Sequence, residues 1–313
     1  MNRLLFLTYH YIVDTENTFQ KSILGPTRES FERQIDSLGR RFTILSPSDI
    51  QYIDFLDKNS DKTYICLTFD DGLLEHKDYV IPFLESRGLK GLFFPNTCIF
   101  EGVPAIPQVV HYSLAKYRVA SVVKWMNDGI MEYNIKHPLI QLTNFSTKDL
   151  IVKIKNILKY QLNYDDAQKI SLHIYKSGLF LDDKNAMKSI YFSKDDIRSM
   201  IDNGHTVGSH LHNHIYIDTH TNKNLIENEI KKSVSILNDI HGGDTIHFAY
   251  PYGKSQEINI DPILEKCGIL YAYNTKPRLN YTIKNKLNIY RKSVYMHESA
   301  NDVIDFIQNQ LTR

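Results

Sequence analysis

The chain has little cysteine: three thiols, Cys66, Cys98 and Cys267, stand among 313 residues. They are odd in number and show no C-x-x-C spacing, which excludes a disulfide framework and a zinc knuckle. Cys66 and Cys98 sit in apolar, strand-like runs, where small buried thiols are common. A surplus of charge is also missing, because 37 Lys and Arg face 36 Asp and Glu, a formal +1. A broadly basic nucleic-acid binder is therefore not expected. No apolar run approaches the ~20 residues that span a bilayer. The apolar stretch at residues 4–13 is interrupted by Thr8, Tyr9 and His10, and no small-residue cleavage site follows. It reads as a buried first strand and not as a signal peptide. Together these absences point to a reducing, cytoplasmic setting. They leave peripheral membrane contact and oligomeric state open.

What is present is globular in composition. Hydrophobic residues make up 42% and charged residues 23%, which excludes general disorder, collagen-like sequence and a coiled coil. Thirteen His and 20 Tyr stand out against a single Trp, Trp125. Thirteen His fit metal or acid–base chemistry, and equally a scattered surface, so only their positions can decide.

Along the chain, apolar strand-like runs alternate with helical patterns. Residues 4–13, 42–45, 63–69 and 91–94 read as strands. Phe31, Ile35 and Leu38, at i, i+4 and i+7, mark a helix ending at Gly39. Residues 79–88 form a second. This alternation is the pattern of parallel α/β architecture. From about 103 to 185 the pattern is mostly helical. Residues 119–131 are one helix, a capping box at Ser146 and Asp149 opens another, and 165–178 is a third. This stretch holds no cluster that points to chemistry, and it reads as a helical insertion on one domain spanning 1–313. Alternation then resumes. A helix capped by Ser193 and Asp196 ends at Gly204, followed by a strand at 206–209 and a helix at 225–240. Strands at 245–250, 269–274 and 287–294 and helices at 261–268 and 301–310 complete the chain.

Three segments at strand ends carry candidate chemistry, and the carboxyl ends of parallel strands are where α/β barrels keep theirs. The first is Thr68-Phe69-Asp70-Asp71-Gly72. Adjacent strand residues point to opposite faces, so one carboxylate can meet a metal and the other substrate. The plainer reading is an Asp-Asp-Gly turn. The second segment is 204–214, with His205, His210, His212 and His214. On a helical turn, His210 and His214 would share one face, as in two-His metal motifs. The plainer reading is a His-rich loop, and His205 and His212 fit local packing. The third is Phe248-Ala249-Tyr250-Pro251-Tyr252-Gly253. Such a turn can wall a substrate groove through Tyr250 and Pro251 and aim a backbone N–H at an oxyanion.

The order D-D-G, H-x-x-x-H, P-Y-G resembles the polysaccharide deacetylase family (NodB homology, carbohydrate esterase family 4). The blocks TFDDG, GHTVGSH…H and FAYPYG carry the resemblance, and Tyr9-His10-Tyr11-Ile12 is similar to the Y-H-x-I start of many members. It extends from near Leu7 to about Val294, outside the helical insertion. It implies a distorted (β/α) barrel of about seven parallel strands. It implies Asp70 as general base and Asp71, His210 and His214 as ligands of a divalent metal, Zn2+ first, with Co2+ or Ni2+ as alternatives. The Tyr252 N–H would bind the oxyanion.

Departures from the family pattern are informative. Leu211 stands where Ser or Thr is usual. Ala249 stands where many members carry the Arg that fixes the catalytic carboxylate. The late L-x-H block that supplies the general acid has no clean copy. His297, in Val294-Tyr295-Met296-His297, is the nearest match, and His10 is the other candidate for that role or for substrate contact. The implied reaction is metal-dependent removal of an N-acetyl group from an amino sugar, in a glycan or in a lipid- or nucleotide-linked precursor. A non-sugar amide on the same scaffold, and a non-catalytic glycan-binding protein, are the alternatives.

Overall fold

The computed structural model describes residues 2–14, 23–50, 61–143, 145–182, 184–253, 258–281 and 283–311. Strand β1 (Arg3–Tyr9), helix α1 (Arg28–Gly39), β2 (Thr43–Ile44), β3 (Thr63–Asp71), α2 (Ile81–Ser86) and β4 (Leu92–Pro95) open the fold. Six helices follow without a strand: α3 (Ile106–Lys116), α4 (Val119–Glu132), α5 (Thr147–Asn156), α6 (Tyr164–Ser177), α7 (Leu179–Asp182) and α8 (Ala186–Ile190). Then come α9 (Lys194–Asp202), β5 (Thr206–Val207), α10 (Lys223–His241), β6 (His247–Ala249), α11 (Asp261–Lys266), β7 (Tyr271–Tyr273), β8 (Arg291–Ser293) and α12 (Ala300–Leu311). The protein is thus α/β with parallel strands, as the alternation predicts. Both capping boxes form, at Ser146–Asp149 and Ser193–Asp196.

One sheet runs in the order β5-β4-β3-β1-β8 with β2 beside β3, and a second pairs β6 with β7, every ladder being parallel. The β1 side chains explain why the strands read as continuous apolar runs. Leu5, Leu7 and Tyr9 pack with Phe31, Ile35 and Leu38 of α1, Leu237 of α10 and Ile304 of α12. Leu4 and Phe6, on the opposite face, pack with Leu92, Phe94, Ala249, Tyr271 and Tyr273. Both faces are covered, so neither can be polar.

The ends of β1 and β3 differ from the sequence expectation in a way that bears on the site. The first strand ends at Tyr9 instead of Val13, and β3 runs on through Asp70 and Asp71, which pair with Phe94 and Pro95 of β4. Asp-Asp-Gly is therefore a strand end rather than a free turn. Gly72 (φ 75°) makes the exit, and a Cβ there would lie 2.9 Å from Pro95 and Ile99.

The helical segment α3–α8 has its own core, in which Val109, Tyr112, Met126, Ile154, Ile170 and Ile174 are buried. It shares that core with Tyr11, Leu73 and Cys98, which follow β1, β3 and β4 respectively. The segment is thus seated at the carboxyl ends of these strands.

Candidate active site

Asp70, Asp71, His210 and His214 are buried and line one cavity of about 580 Å3, together with His10, Tyr250, Tyr252 and His297. Pro251 is buried in its turn and is not among the lining residues. The sequence-predicted residues otherwise converge.

The adjacent carboxylates have different partners. Asp70 is clamped by Arg291 of β8, whose Nη1 and Nη2 each donate at 2.8 Å to one carboxylate oxygen. The guanidinium is fully buried, and its Nε donates to the Asn274 carbonyl at 3.1 Å. Burial alone would push the Asp70 carboxyl up. The Arg291 charge, followed by nearby imidazoles, outweighs it and holds the group below its ordinary value. Arg291 therefore makes the contact with Asp70 that the resemblance expects of an Arg at position 249. The sequence reading missed it, although a signal existed: a cation inside a buried strand requires a buried anion.

Asp71 is held differently. Its Oδ2 accepts from Gln108 Nε2 of α3 at 2.8 Å. Its Oδ1 is buried and has no hydrogen-bond partner among the described residues. That oxygen faces His214 Nε2 at 3.5 Å and His210 Nε2 at 3.6 Å. The three ligand atoms lie within 4.8 Å of one another. Burial pushes Asp71 up, but the imidazoles of His214, His10 and His210 bring it well below the usual carboxylate range. The His210 ring contacts Ala249 carbonyl through Nδ1 at 2.8 Å, which places the proton there and leaves Nε2 as the lone pair. Burial also pushes His210 down to about 4, so the imidazole is neutral, as a ligand must be. Two imidazoles and one ionised carboxylate with an unpartnered oxygen fit a divalent transition metal.

The two histidines do not share a helical turn. Residues 208–217 form an irregular loop in which Leu211 (φ 64°) and His214 (φ 55°) are left-handed, which no α-helical turn permits. The rings still meet edge-to-face, centroids 4.8 Å apart. The loop is held from several sides. Asn96 Nδ2 donates to the His210 carbonyl, the Cys98 N–H donates to the His212 carbonyl at 2.9 Å, and the Asn213 N–H donates to Glu229 at 2.8 Å. Leu211 is fully buried among Ile215, Ile226, Ile230 and Phe248, so packing replaces the usual hydroxyl. Gly208 lies so close to Phe94 and the His247 carbonyl that a Cβ would come within 2.7 Å of both. His205 accepts from the Gly91 N–H and His212 pairs with Thr97 Oγ1, the packing roles expected of them.

Asp71 (φ 80°) and Tyr252 (φ 60°) are also left-handed, so four such non-glycine residues cluster here. Strain of this kind persists where surrounding structure over-determines it, often at functional sites. The Tyr252 ring packs against His214, centroids 4.5 Å apart. The Tyr250 hydroxyl donates to the Leu287 carbonyl at 3.1 Å, which fixes the turn. His10 Nε2 lies 4.0 Å from Asp70 Oδ2. His297 is exposed at the cavity's edge. The helical segment, in which the sequence shows no chemistry, contributes Gln108 and also His111, whose Nδ1 lies 2.9 Å from the Tyr11 hydroxyl.

Residues 167–272 match the polysaccharide deacetylase family. That match supports the family resemblance read from the sequence. The match takes in His210, His214 and the Pro251-Tyr252-Gly253 turn. It begins within α6 of the helical segment, after Asp70 and Asp71. No curated protein matches the chain in sequence. Its structure is similar to Streptococcus pyogenes deacetylase PplD in complex with acetate, at 14% identity, 97% of each chain and TM-score 0.58. It is similar to IcaB from Ammonifex degensii at 16% identity, 98% of each chain and TM-score 0.60. A de-N-acetylase from Aggregatibacter actinomycetemcomitans is similar at 14% identity over 97% of this chain and 99% of that one, TM-score 0.60. At these identities the likeness is one of fold. No described helix is long and apolar enough to cross a membrane.

Proposed function

We propose that this protein is a member of the polysaccharide deacetylase family and a metal-dependent hydrolase that removes N-acetyl groups from an amino sugar in a glycan or glycan precursor. The observation that carries the reading is the Asp71–His210–His214 triangle, with one unpartnered carboxylate oxygen, beside an Asp70 clamped by Arg291. Residues 1–313 act as one catalytic domain. The bridges Ser209–Phe248 and Tyr273–Ile289, and the shared interior of Leu4, Phe6, Phe94 and Tyr273, support a distorted barrel of about seven strands. The three free thiols agree with a reducing compartment.

Asp71, His210 and His214 would hold the cation, Zn2+ by this donor set, which when bound polarises a carbonyl and lowers the pKa of water. Asp70, kept ionised by Arg291, takes the proton from the attacking water at a carboxylate oxygen. The Tyr252 N–H donates to the oxygen that gains charge as the amide carbon becomes tetrahedral. A protonated imidazole then gives its proton to the nitrogen as the C–N bond breaks, which releases acetate and the free amine. His10, 4.0 Å from Asp70, is the better placed donor, with His297 at the cavity edge as the second candidate.

Metal-loaded protein should release acetate from N-acetylhexosamine glycans, and EDTA should stop it. Asp70→Asn should abolish release while metal content stays. Absence of acetate from glycans, nucleotide sugars and lipid-linked sugars alike would sink the reading.

A further inference from the structure

Helix α3 sends two polar side chains, one helical turn apart, toward the strand ends. Gln108 Nε2 donates to Asp71 Oδ2 at 2.8 Å. His111 lines the catalytic cavity beside Pro107 of the same helix and takes no part in the proposed hydrolysis. Its Nδ1 lies 2.9 Å from the hydroxyl of Tyr11, a residue buried just after β1. The Tyr11 ring meets those of His111 and Tyr112 edge-to-face, centroids 5.8 Å and 5.9 Å apart. Among the described residues His111 Nε2 has no hydrogen-bond partner, and it is not shut away from the cavity.

The partners fix where the protons lie. Burial keeps the Tyr11 phenol protonated and pushes the His111 imidazole down to about 3, so both are neutral. The Gln108 amide also hydrogen-bonds Tyr11, in the sense that favours a phenolate, so an amide N–H is the donor. Gln108 Oε1 is buried without a hydrogen-bond partner among the described residues, so it does not take the phenol proton. The Tyr11 O–H therefore donates to His111 Nδ1, and the one imidazole proton sits on Nε2. His210 has the opposite tautomer, with its proton on Nδ1 toward the Ala249 carbonyl and its lone pair on Nε2. A lone pair at His210 suits a cation. An N–H at His111 suits an oxygen and cannot ligate a metal.

An N-acetylhexosamine offers hydroxyl oxygens besides its acetamide, and the acyl oxygen already has the Tyr252 N–H. We propose that His111 Nε2–H donates to a hydroxyl oxygen of the sugar whose acetamide is cleaved, with Tyr11 and Gln108 as positioning residues that fix its tautomer. The proposal rests on the deacetylase reading and adds to it a residue that sets how that sugar is seated.

NMR of nitrogen-labelled imidazoles reads the tautomer without any substrate. His111 should show the Nε2–H form in the wild type and a mixture of both forms in Tyr11→Phe. Acetate release from N-acetylglucosamine saccharides and their monodeoxy analogues reads the contact. His111→Leu should keep its metal and most of its kcat but raise KM by about three- to tenfold, the range of one neutral hydrogen bond. One monodeoxy analogue should show a similar loss with the wild type and no further loss with His111→Leu. His111→Gln, which restores an N–H donor, should recover much of the binding. An Nδ1–H tautomer in the wild type, loss of metal from His111→Leu, or a loss shared equally by every analogue in both proteins overturns the donor. Absence of acetate from every saccharide overturns the parent reading instead. Calorimetric binding of the same analogues to the wild type and to His111→Leu then still decides the contact.

Discussion

The strand ends and the helical segment α3–α8 meet at one cavity, yet they are built on different physical terms. The strand ends hold ionised groups in a buried setting, each compensated: Asp70 by the guanidinium of Arg291, Asp71 by the imidazoles around it. Left-handed residues at 71, 211, 214 and 252 show how closely the backbone there is constrained. The helical segment buries mainly apolar side chains in a core of its own. It reaches the site through a few polar side chains, chiefly Gln108 and His111. The contrast implies that the proposed chemistry would be fixed by the strands, while the helices would adjust the affinity of the proposed metal.

The strongest way to break this comparison is to remove a strand-end ligand. His214→Ala should eliminate stoichiometric metal and reduce acetate release by more than the roughly 100-fold that even an outer partner of a ligand can carry. Metal analysis on the folded variant together with acetate release checks it, and a variant that keeps both would end the ligand assignment. Arg291→Met comes next. It leaves the Asp70 carboxylate buried without its cation, and such losses destabilise by roughly 3–5 kcal/mol. Denaturant melts should show that loss, with kcat lowered in the protein that still folds. An unaltered melting curve would mean that Arg291 does not compensate Asp70.

Legibility in the sequence followed the same division. Asp70, Asp71, His210 and His214 were readable because few residue types can bind metal or take protons, and their spacing along the chain was preserved. The helical turn expected at 210–214 was not found, since residue spacing fits a left-handed loop as well as a helix. Arg291 was not found because its partner is 221 positions away, and parallel pairing of β8 with β1 is what brings them together. The helices expected at 119–131 and 165–178 are found at Val119–Glu132 and Tyr164–Ser177. Periodicity gives a buried face but not its target, so the contact of Gln108 with Asp71 had no sequence signal.

A third experiment separates burial of a charged carboxylate from burial of a protonated one. Glu75, just after the strand end, is buried, and burial pushes its pKa up from 4.5 to about 8. The folded protein therefore keeps a proton that the unfolded chain loses near 4.5. Between those values folding takes up a proton, so stability falls as pH rises. Glu75→Gln removes that slope. From about pH 5 to about pH 7 the variant should gain roughly 2–3 kcal/mol relative to the wild type. Stability curves that run parallel over this window would show that Glu75 is ionised in the fold.

The smallest expected effect is also the one that sharpens the comparison most. Gln108 is the single described side chain of α3–α8 with a hydrogen bond to a proposed metal ligand, 2.8 Å to Asp71 Oδ2. If the helical segment tunes the metal, Gln108→Leu should weaken metal affinity by about 10–100-fold, the usual effect of losing an outer partner. The fully loaded variant should keep much of its kcat, because Asp70 and Arg291 are untouched. Competition with a chelator reads the affinity, and turnover at saturating metal reads kcat. Unchanged affinity would reduce the helical segment to a wall. A collapse of kcat at full loading would instead make the helical segment part of the catalytic machinery and erase the distinction between the two regions.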